Sequence, residues 1–219
     1  MKAAIFDMDG LLFDSELIFD RVWQMNADNH GFVLDPKMQE ELRGCSGVVM
    51  RNIVNRYLPN QDAFVLQKEL FENALSLERE YVPMKPGVFE ILDYFKSEDF
   101  KLAVASSSPQ DMIENNLRVS RLETYFDVIV NGSEVSKGKP NPDIFLLASE
   151  RVGVCPEECY VFEDARAGVA AGVAAGCKTI MIPDLVKPTI IEKETAYGIY
   201  DDLNLALEDI KKKTLVSGF

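Results

Sequence analysis

The sequence predicts an α/β protein: a doubly wound parallel sheet with an all-helical block inserted after the first strand. Three observations lead to this prediction. An apolar run near residues 2–7 has the length of a buried strand. Residues 15–82 then carry apolar side chains at helical spacing, and from residue 83 onward strand and helix patterns alternate. Alternating β and α units form parallel sheets, so the helical block interrupts a sheet that resumes after it.

The helical block is predicted to begin after Ser15, whose hydroxyl can cap the first helix. That helix ends at His30, where Gly31 suits a C-terminal glycine cap. Three more helices are predicted near residues 35–43, 47–57 and 61–80.

A hinge is predicted over residues 82–87, because two prolines restrict the backbone on both sides of Lys85. The small residues of segment 168–176 predict a helix packed very close to the sheet. The strands expected after the hinge are 101–105, 126–130, 160–162 and 178–182, and the helices are 88–96, 109–117, 141–152, 165–175 and 202–213. We therefore expect an α/β core of residues 1–14 and 83–219 and a helical domain of residues 15–82.

The composition and net charge argue against several kinds of partner and metal site. A net charge of −13 argues against nucleic acid or an anionic membrane as a partner, and any phosphate site must be assembled locally. One histidine excludes zinc sites with several histidines, and the four cysteines form no Cys-x-x-Cys pair. No export signal or membrane-length apolar run is evident, so we expect reduced thiols in a cytoplasmic protein.

Two aspartates, Asp7 and Asp9, follow the first strand and precede Gly10. Side chains two residues apart on an extended chain point the same way, so both can face one site. Two carboxylates held together repel each other unless a cation lies between them or one keeps its proton. A solvated Asp-x-Asp turn is the alternative interpretation.

Further polar side chains follow other predicted strands, at the edge where open α/β sheets bind ligands. Three serines follow strand 101–105, a Glu-Asp pair follows strand 160–162, and a proline-stiffened loop can hold a lysine over the same edge. These residues are Ser106, Ser107, Ser108, Glu163, Asp164 and Lys139.

This combination of residues suits phosphoryl transfer. Asp7 can attack phosphorus, while Lys139, the Ser106 hydroxyl and loop N–H groups stabilise the charge on the transferred group. Asp9 can protonate the leaving oxygen and then activate water. Oxygen ligands are those that Mg²⁺ prefers, and the predicted metal ligands are Asp7, Asp9 through its carbonyl, Glu163 and Asp164.

The chain resembles the haloacid dehalogenase superfamily, in the phosphatase branch that carries a helical cap after the first motif. Segments 6–16, 104–108, 138–143 and 161–164 carry the resemblance, which covers nearly the whole chain. It implies a phosphorylated nucleophile at Asp7, an acid/base at Asp9, phosphoryl contacts from Ser106 and Lys139, and Mg²⁺ carboxylates at Glu163 and Asp164.

Within that superfamily the pattern is most similar to β-phosphoglucomutase-like proteins, which include sugar-phosphate phosphatases. Ala165 stands where the family commonly has a serine, so one hydroxyl near the metal ligands is missing and a weaker metal affinity is expected. Phe19 and Pro109 stand where true mutases carry a histidine and a lysine. A mutase must hold a second phosphate, so these departures favour simple hydrolysis.

Substrate contacts are expected from the helical cap and from the serine loop. Arg43 begins a glycine-rich segment that can reach over the site and bind a substrate carboxylate or phosphate; a surface arginine is the alternative. Glu16 can hydrogen-bond a sugar hydroxyl or only stabilise the first turn of its helix. Ser107 and Ser108 complete the substrate-binding candidates.

The sequence thus predicts a Mg²⁺-dependent phosphatase that hydrolyses a small phosphorylated metabolite, expected to be a sugar phosphate, through an aspartyl-phosphate intermediate. A hexose-phosphate mutase and a phospho-acceptor receiver domain are the alternatives, although a receiver needs no long helical insertion after its first strand. We expect a monomer, with a weak dimer as the alternative, and neither a nucleic acid nor a membrane as partner.

Overall fold

Six parallel strands form one sheet in the order β3-β2-β1-β4-β5-β6. The computed structural model describes residues 2–43, 45, 47–79 and 81–216, without the side chains of residues 16, 17 and 214–216. The strands are β1 (Ala3–Phe6), β2 (Lys101–Ser106), β3 (Val128–Asn131), β4 (Cys159–Glu163), β5 (Lys178–Met181) and β6 (Gly198–Ile199).

Five α-helices lie between β1 and β2 in the described structure: four form the inserted helical block and the fifth leads into β2. The first four are α1 (Glu16–His30), α2 (Pro36–Leu42), α3 (Gly47–Tyr57) and α4 (Ala63–Glu78). The others are α5 (Val88–Ser97), α6 (Gln110–Val119), α7 (Asp143–Val152), α8 (Arg166–Ala174), α9 (Ile190–Thr195) and α10 (Leu203–Val216). The predicted doubly wound sheet with an inserted helical cap is confirmed.

Strand β1 lies in the middle of the sheet and is buried on both faces, since helices cover each side. Ala4 and Phe6 pack into one apolar layer, while Ala3 and Ile5 pack into the other. The ring of Phe6 stacks on that of Phe162 in β4, with centroids 4.7 Å apart. This packing holds the carboxyl end of β1 rigidly at the centre of the molecule.

The predicted order of elements is confirmed from β1 to β5, and the sequence reading missed α9 and β6. Helix α9 carries a signal that was available in the sequence. The Thr189 side chain accepts from the Ile191 N–H, and the Glu192 carboxylate accepts from the Thr189 N–H, which is the reciprocal pattern of a capping box.

Helix α1 confirms one predicted cap and contradicts the other. Gly31 adopts the left-handed conformation, with φ of 69°, and its N–H donates to the Ala27 carbonyl, so the predicted glycine cap after His30 is correct. The prediction that the Ser15 side chain caps the helix is wrong, because Ser15 makes no capping bond. Its hydroxyl donates instead to Asp9, at 2.8 Å.

The two chain crossings between sheet and cap run side by side. The Asp14 N–H donates to the Pro83 carbonyl at 2.8 Å, and the Lys85 N–H donates to the Leu12 carbonyl at 2.9 Å. The Lys85 ammonium also lies 3.1 Å from Asp14 and 2.8 Å from Asp184. The predicted boundaries at 14/15 and 82/83 fall on this pair of crossings, and the division into two domains stays a prediction.

Helix α8 packs against the sheet as closely as its small residues predict. A methyl group built on Gly168 would lie 1.9 Å from the Glu163 carboxyl carbon, and one on Gly172 would lie 2.5 Å from the Thr179 hydroxyl oxygen. Larger side chains at these positions would separate the helix from β4 and β5.

Two other expectations concern the cysteines and the membrane. All four cysteines are free thiols. Within the described part of the chain, no helix has the length and apolar character that crossing a membrane requires.

The end of α4 contacts α6 of the core through a buried carboxyl group. Glu78 is fully buried, and the Asn116 amide donates to its Oε2 at 2.7 Å. Its Oε1 has no hydrogen-bond partner among the described residues. Burial raises the pKa of Glu78 to about 8, and the negative charge of Asp9 adds to this effect.

Replacing Glu78 with glutamine should flatten the pH dependence of stability. A carboxyl whose pKa rises from 4.5 when unfolded to about 8 when folded stabilises the native state below 4.5 and loses that contribution as the pH approaches 8. Glutamine cannot ionise, so Glu78→Gln should be the more stable protein at high pH, by about 1–4 kcal/mol. Urea unfolding across this pH range measures the difference.

The matched control for this experiment is Glu72→Gln, which removes a carboxylate from an exposed position of the same helix. It should keep the pH dependence of the unmodified protein. Equal pH slopes for Glu78→Gln and the unmodified protein would show that the buried carboxyl does not titrate in this range.

Candidate active site

The carboxyl ends of β1, β2 and β4 bring the predicted catalytic residues together. Phe6 is in register with Val104 of β2 and with Phe162 of β4. Asp7, the next residue, donates its N–H to the Phe162 carbonyl at 3.0 Å. Ser106 and Glu163 end their strands at the same edge, so the strand-end rule used on the sequence places these side chains correctly.

A tight turn after β1 folds the first motif back on itself. Gly10 has a φ of 76°, a conformation that favours glycine, and its N–H donates to the Phe13 carbonyl at 2.9 Å. A side chain at this position would also meet Asp164, because a methyl group there would lie 2.4 Å from Oδ2. The turn returns Ser15 to within hydrogen-bond distance of Asp9.

Lys139 is buried among the acidic residues of the site. Its ammonium lies 2.5 Å from Asp7 Oδ1 and 2.5 Å from Glu163 Oε1, and it donates to the Ala105 carbonyl at 3.2 Å. Burial disfavours the charge on Lys139, but the carboxylates of Asp7 and Glu163 outweigh burial and raise the pKa of Lys139 above its ordinary value. The lysine therefore stays protonated and neutralises charge on both carboxylates.

Asp9 has different surroundings, made largely of hydroxyl groups. Ser15 donates to its Oδ1 at 2.8 Å, and Ser108 and Ser106 donate to its Oδ2 at 2.6 Å and 3.4 Å. Burial and the adjacent charge of Asp7 raise the pKa of Asp9, and the three hydroxyls reduce the rise without cancelling it. A carboxyl whose pKa moves toward neutrality can donate and recover a proton, which is what acid/base catalysis requires.

Three buried carboxylates can hold a metal ion. Oxygen atoms of Asp7, Glu163 and Asp164 lie within 4.8 Å of one another. Burial raises the pKa of Glu163, Asp7 adds to this rise and Lys139 opposes it. The crowding of negative charge and the hard oxygen donors fit Mg²⁺. The Asp9 carboxylate lies among the serines, and the predicted contact between its carbonyl and a metal ion stays a prediction.

Asp184 is an acidic residue near this group that sequence reasoning missed. Its Oδ1 accepts from Lys85, and its Oδ2 is buried without a hydrogen-bond partner in the described structure. That Oδ2 lies 3.5 Å from where a methyl group on Gly10 would be. Asp184 follows β5 by three residues, so the strand-end rule could have found it.

One pocket joins these core residues to the cap. Asp7, Asp9, Lys139 and Asp164 lie on its core side, together with the three serines 106–108. Phe19, Asp20, Trp23, Gln39, Leu42, Arg43, Cys45, Met50, Leu70 and Phe71 lie on its cap side. The predicted candidates Ser107 and Arg43 thus line the pocket that contains the catalytic candidates.

Arg43 is accompanied by a residue that the sequence reading did not consider. One guanidinium nitrogen of Arg43 lies 3.6 Å from a carboxylate oxygen of Asp20 in α1. Gly44 and Ser46, which follow Arg43, lie outside the described residues, as does the side chain of Glu16. The predicted contact between Glu16 and substrate therefore stays a prediction.

Comparison with known protein families shows to which family the chain belongs. Residues 4–182 match the model of the haloacid dehalogenase-like hydrolases. The chain belongs to this family. The resemblance seen in the sequence is therefore confirmed, and the enzyme is a phosphoric monoester hydrolase, in line with the relatives named below.

Two curated relatives of this hydrolase are phosphatases. A phosphorylated carbohydrates phosphatase from Thermotoga maritima is 39% identical over 184 residues, which span 82% of this chain and 84% of the relative. Hexitol phosphatase B from Escherichia coli is 31% identical over 186 residues, 83% of each chain. A β-phosphoglucomutase structure from Clostridium difficile has a TM-score of 0.82 over 99% of each chain, but its 24% identity shows the fold alone.

Replacing Gly168 with alanine should damage the site without altering any charged group. The added methyl group would overlap the Glu163 carboxyl, so either this carboxyl, which contacts Lys139, or helix α8 must shift. We expect phosphatase kcat and apparent Mg²⁺ affinity to fall by about 10–100-fold, the usual cost of disturbing a residue that supports a metal site. Activity measured across a Mg²⁺ titration tests this.

Ala170→Ser is the control for the alanine variant, because it alters an exposed position of the same helix. It should behave as the unmodified enzyme. Full activity and metal affinity in Gly168→Ala would mean that Glu163 need not stay where the structure places it.

Proposed function

We propose that this hydrolase is a Mg²⁺-dependent phosphatase of small phosphorylated carbohydrates that works through an aspartyl phosphate on Asp7. One observation carries the proposal: at the core end of the pocket, Asp7 contacts Lys139 and lies beside the acidic pair 163–164, while the pKa of neighbouring Asp9 is raised. The substrate class is supported by the relatives that act on phosphorylated carbohydrates and hexitol phosphates.

Asp7, Asp164 and the Asp9 carbonyl would hold Mg²⁺, with Glu163 beside them. When bound, the ion offsets the carboxylate charges and polarises the phosphoryl oxygens. The protein offers a single buried ammonium, that of Lys139, among the described residues of this acidic cluster. A phosphate dianion would be repelled by such a cluster without a further cation, which is why a divalent ion belongs in the proposal.

In the first half of the proposed reaction, the Asp7 carboxylate forms a bond to phosphorus as the bond to the leaving oxygen breaks. Asp9 transfers its proton to that oxygen, so the substrate leaves as a neutral alcohol. Lys139 and Ser106 stabilise the charge on the phosphoryl oxygens. The products of this half are the alcohol, the Asp7 acyl phosphate and an ionised Asp9.

In the second half, the ionised Asp9 accepts a proton from water, whose oxygen attacks phosphorus. The bond between Asp7 and phosphorus breaks, inorganic phosphate is released and the Asp7 carboxylate is restored. Asp9 ends protonated, ready for another turnover. The hydroxyls of Ser15 and Ser108 keep the Asp9 carboxyl in one orientation through both halves.

A hexose-phosphate mutase is the second candidate, because the fold is shared with β-phosphoglucomutase. Phe19, where true mutases have a histidine, lines the pocket and packs edge-on against Phe71. Pro109, where they have a lysine, is the N-cap residue that directly precedes α6. Neither side chain can bind a second phosphate, so the geometry favours transfer to water.

Replacing Asp7 with asparagine should abolish turnover, because an amide cannot form the acyl phosphate. Release of inorganic phosphate from a panel of sugar and polyol phosphates, with Mg²⁺ present, measures the loss. A screen with the unmodified enzyme identifies the substrates first. Asp7→Asn protein that still releases phosphate from those substrates would exclude Asp7 as the nucleophile.

Replacing Asp9 with asparagine should separate the two halves of the reaction. Nitrophenolate leaves without a proton, so p-nitrophenyl phosphate can still phosphorylate Asp7, whereas hydrolysis of the acyl phosphate lacks its base. We expect a burst of nitrophenolate close to the enzyme concentration, followed by a steady rate about 10²–10⁴-fold below normal. Stopped-flow absorbance records both phases, and a linear trace at the normal rate would remove Asp9 from the mechanism.

A further inference from the structure

Among the described residues, the cap side of the pocket has one cation, Arg43, and one carboxylate, Asp20. Among the described residues that line the pocket, the cations are Lys139 and Arg43. Lys139 is 6% exposed and contacts two carboxylates at the core end. A second anionic group on a substrate would therefore depend on Arg43 alone.

Asp20 is positioned to cancel that charge. Its carboxylate lies 3.6 Å from the Arg43 guanidinium, and the two side chains keep 37% and 29% of their surface exposed. Asp20 belongs to α1, and Arg43 directly follows α2, so the ion pair joins two elements of the cap beside the pocket. A second phosphate near Arg43 would also approach Asp20 and meet like charge there.

The groups around this ion pair can form hydrogen bonds with the hydroxyl groups of a substrate. The Nε of Arg43 is buried and has no hydrogen-bond partner among the described residues, so it is a donor that lacks an acceptor. Asp20 supplies acceptors, and the Gln39 amide supplies both kinds of group. Rings of Phe19 and Trp23 line the same side and can cover the C–H face of a carbohydrate.

We propose that Asp20 sets substrate specificity by neutralising Arg43, so that the cap side binds the hydroxyls of a sugar or polyol monophosphate and rejects bisphosphates. This inference rests on the proposed phosphatase function and names the part of the substrate that the cap contacts. It also gives a reason for hydrolysis over isomerisation, since an enzyme that rejects a second phosphate cannot retain a bisphosphate intermediate.

The test compares a fructose monophosphate with fructose bisphosphate, assayed by phosphate release with Mg²⁺. The unmodified enzyme should have a kcat/KM at least about tenfold higher for the monophosphate. Asp20→Asn keeps the shape of the side chain and frees the charge of Arg43. It should lower KM for the bisphosphate and shift the kcat/KM ratio toward it by about tenfold or more.

Two further variants test whether the shift in the kcat/KM ratio comes from the charge of Arg43. Asp28→Asn removes a carboxylate from the same helix, outside the pocket, and should leave the ratio unchanged, which controls for net charge. Asp20→Asn combined with Arg43→Gln should lose the gain toward the bisphosphate, because the freed cation is gone. The gain persisting in the double variant would overturn the proposal, as would a ratio in Asp20→Asn equal to that in Asp28→Asn.

Hydrolysis of p-nitrophenyl phosphate, which has no hydroxyls for the cap, keeps this test separate from the proposed function. Asp28→Asn should hydrolyse it at a rate close to that of the unmodified enzyme. Cooperative urea unfolding with an unchanged midpoint shows that the Asp20 and Arg43 variants are folded. No hydrolysis of this ester by the unmodified enzyme with Mg²⁺ would contradict the phosphatase proposal itself. Normal hydrolysis of the ester, together with equal kcat/KM values for the two fructose phosphates, would contradict the proposed role of Asp20 and leave the phosphatase proposal intact.

Discussion

The structure depends on one buried cluster of opposite charges, in which Lys139 lies 2.5 Å from carboxylate oxygens of both Asp7 and Glu163 at the carboxyl edge of the sheet. Leaving a buried charge unpaired is strongly destabilising, so these groups must be kept together by the fold. One ammonium cannot balance the whole acidic cluster, and this shortfall is what makes the site suitable for a divalent cation and a phosphoryl group.

The backbone around this cluster lets charged groups approach one another closely. Gly10 turns in a left-handed conformation beside Asp164, and Gly168 leaves room for the Glu163 carboxyl under α8. The crossings to the cap are paired by hydrogen bonds and tied to the core by Lys85. The segment after β1 therefore contributes both to the acidic site, through Asp7, and to the crossing into the cap, through Asp14.

The sequence predicted the strand-end residues because a parallel sheet puts the carboxyl ends of its strands at one edge. Asp7, Ser106 and Glu163 were predicted in this way, and Lys139 was predicted from the stiff loop that could hold it over the same edge. The structure brings the four residues together. Ser15 was assigned to a helix cap because serine before a helix commonly has that role, and the turn at Gly10 redirects its hydroxyl to Asp9. The sequence alone does not show whether a side chain will bond to the nearby backbone or to a residue that the fold brings close.

By itself the sequence determined the class of fold, the order of its elements as far as β5 and the residue types at the catalytic edge, because apolar periodicity and strand-end position are local properties of the chain. Only the tertiary structure decided which side chains from different segments meet: Asp20 with Arg43, Lys85 with Asp184, Glu78 with Asn116. These pairs join elements whose relative placement depends on packing of the cap and core, and charge interactions act through space and not along the sequence.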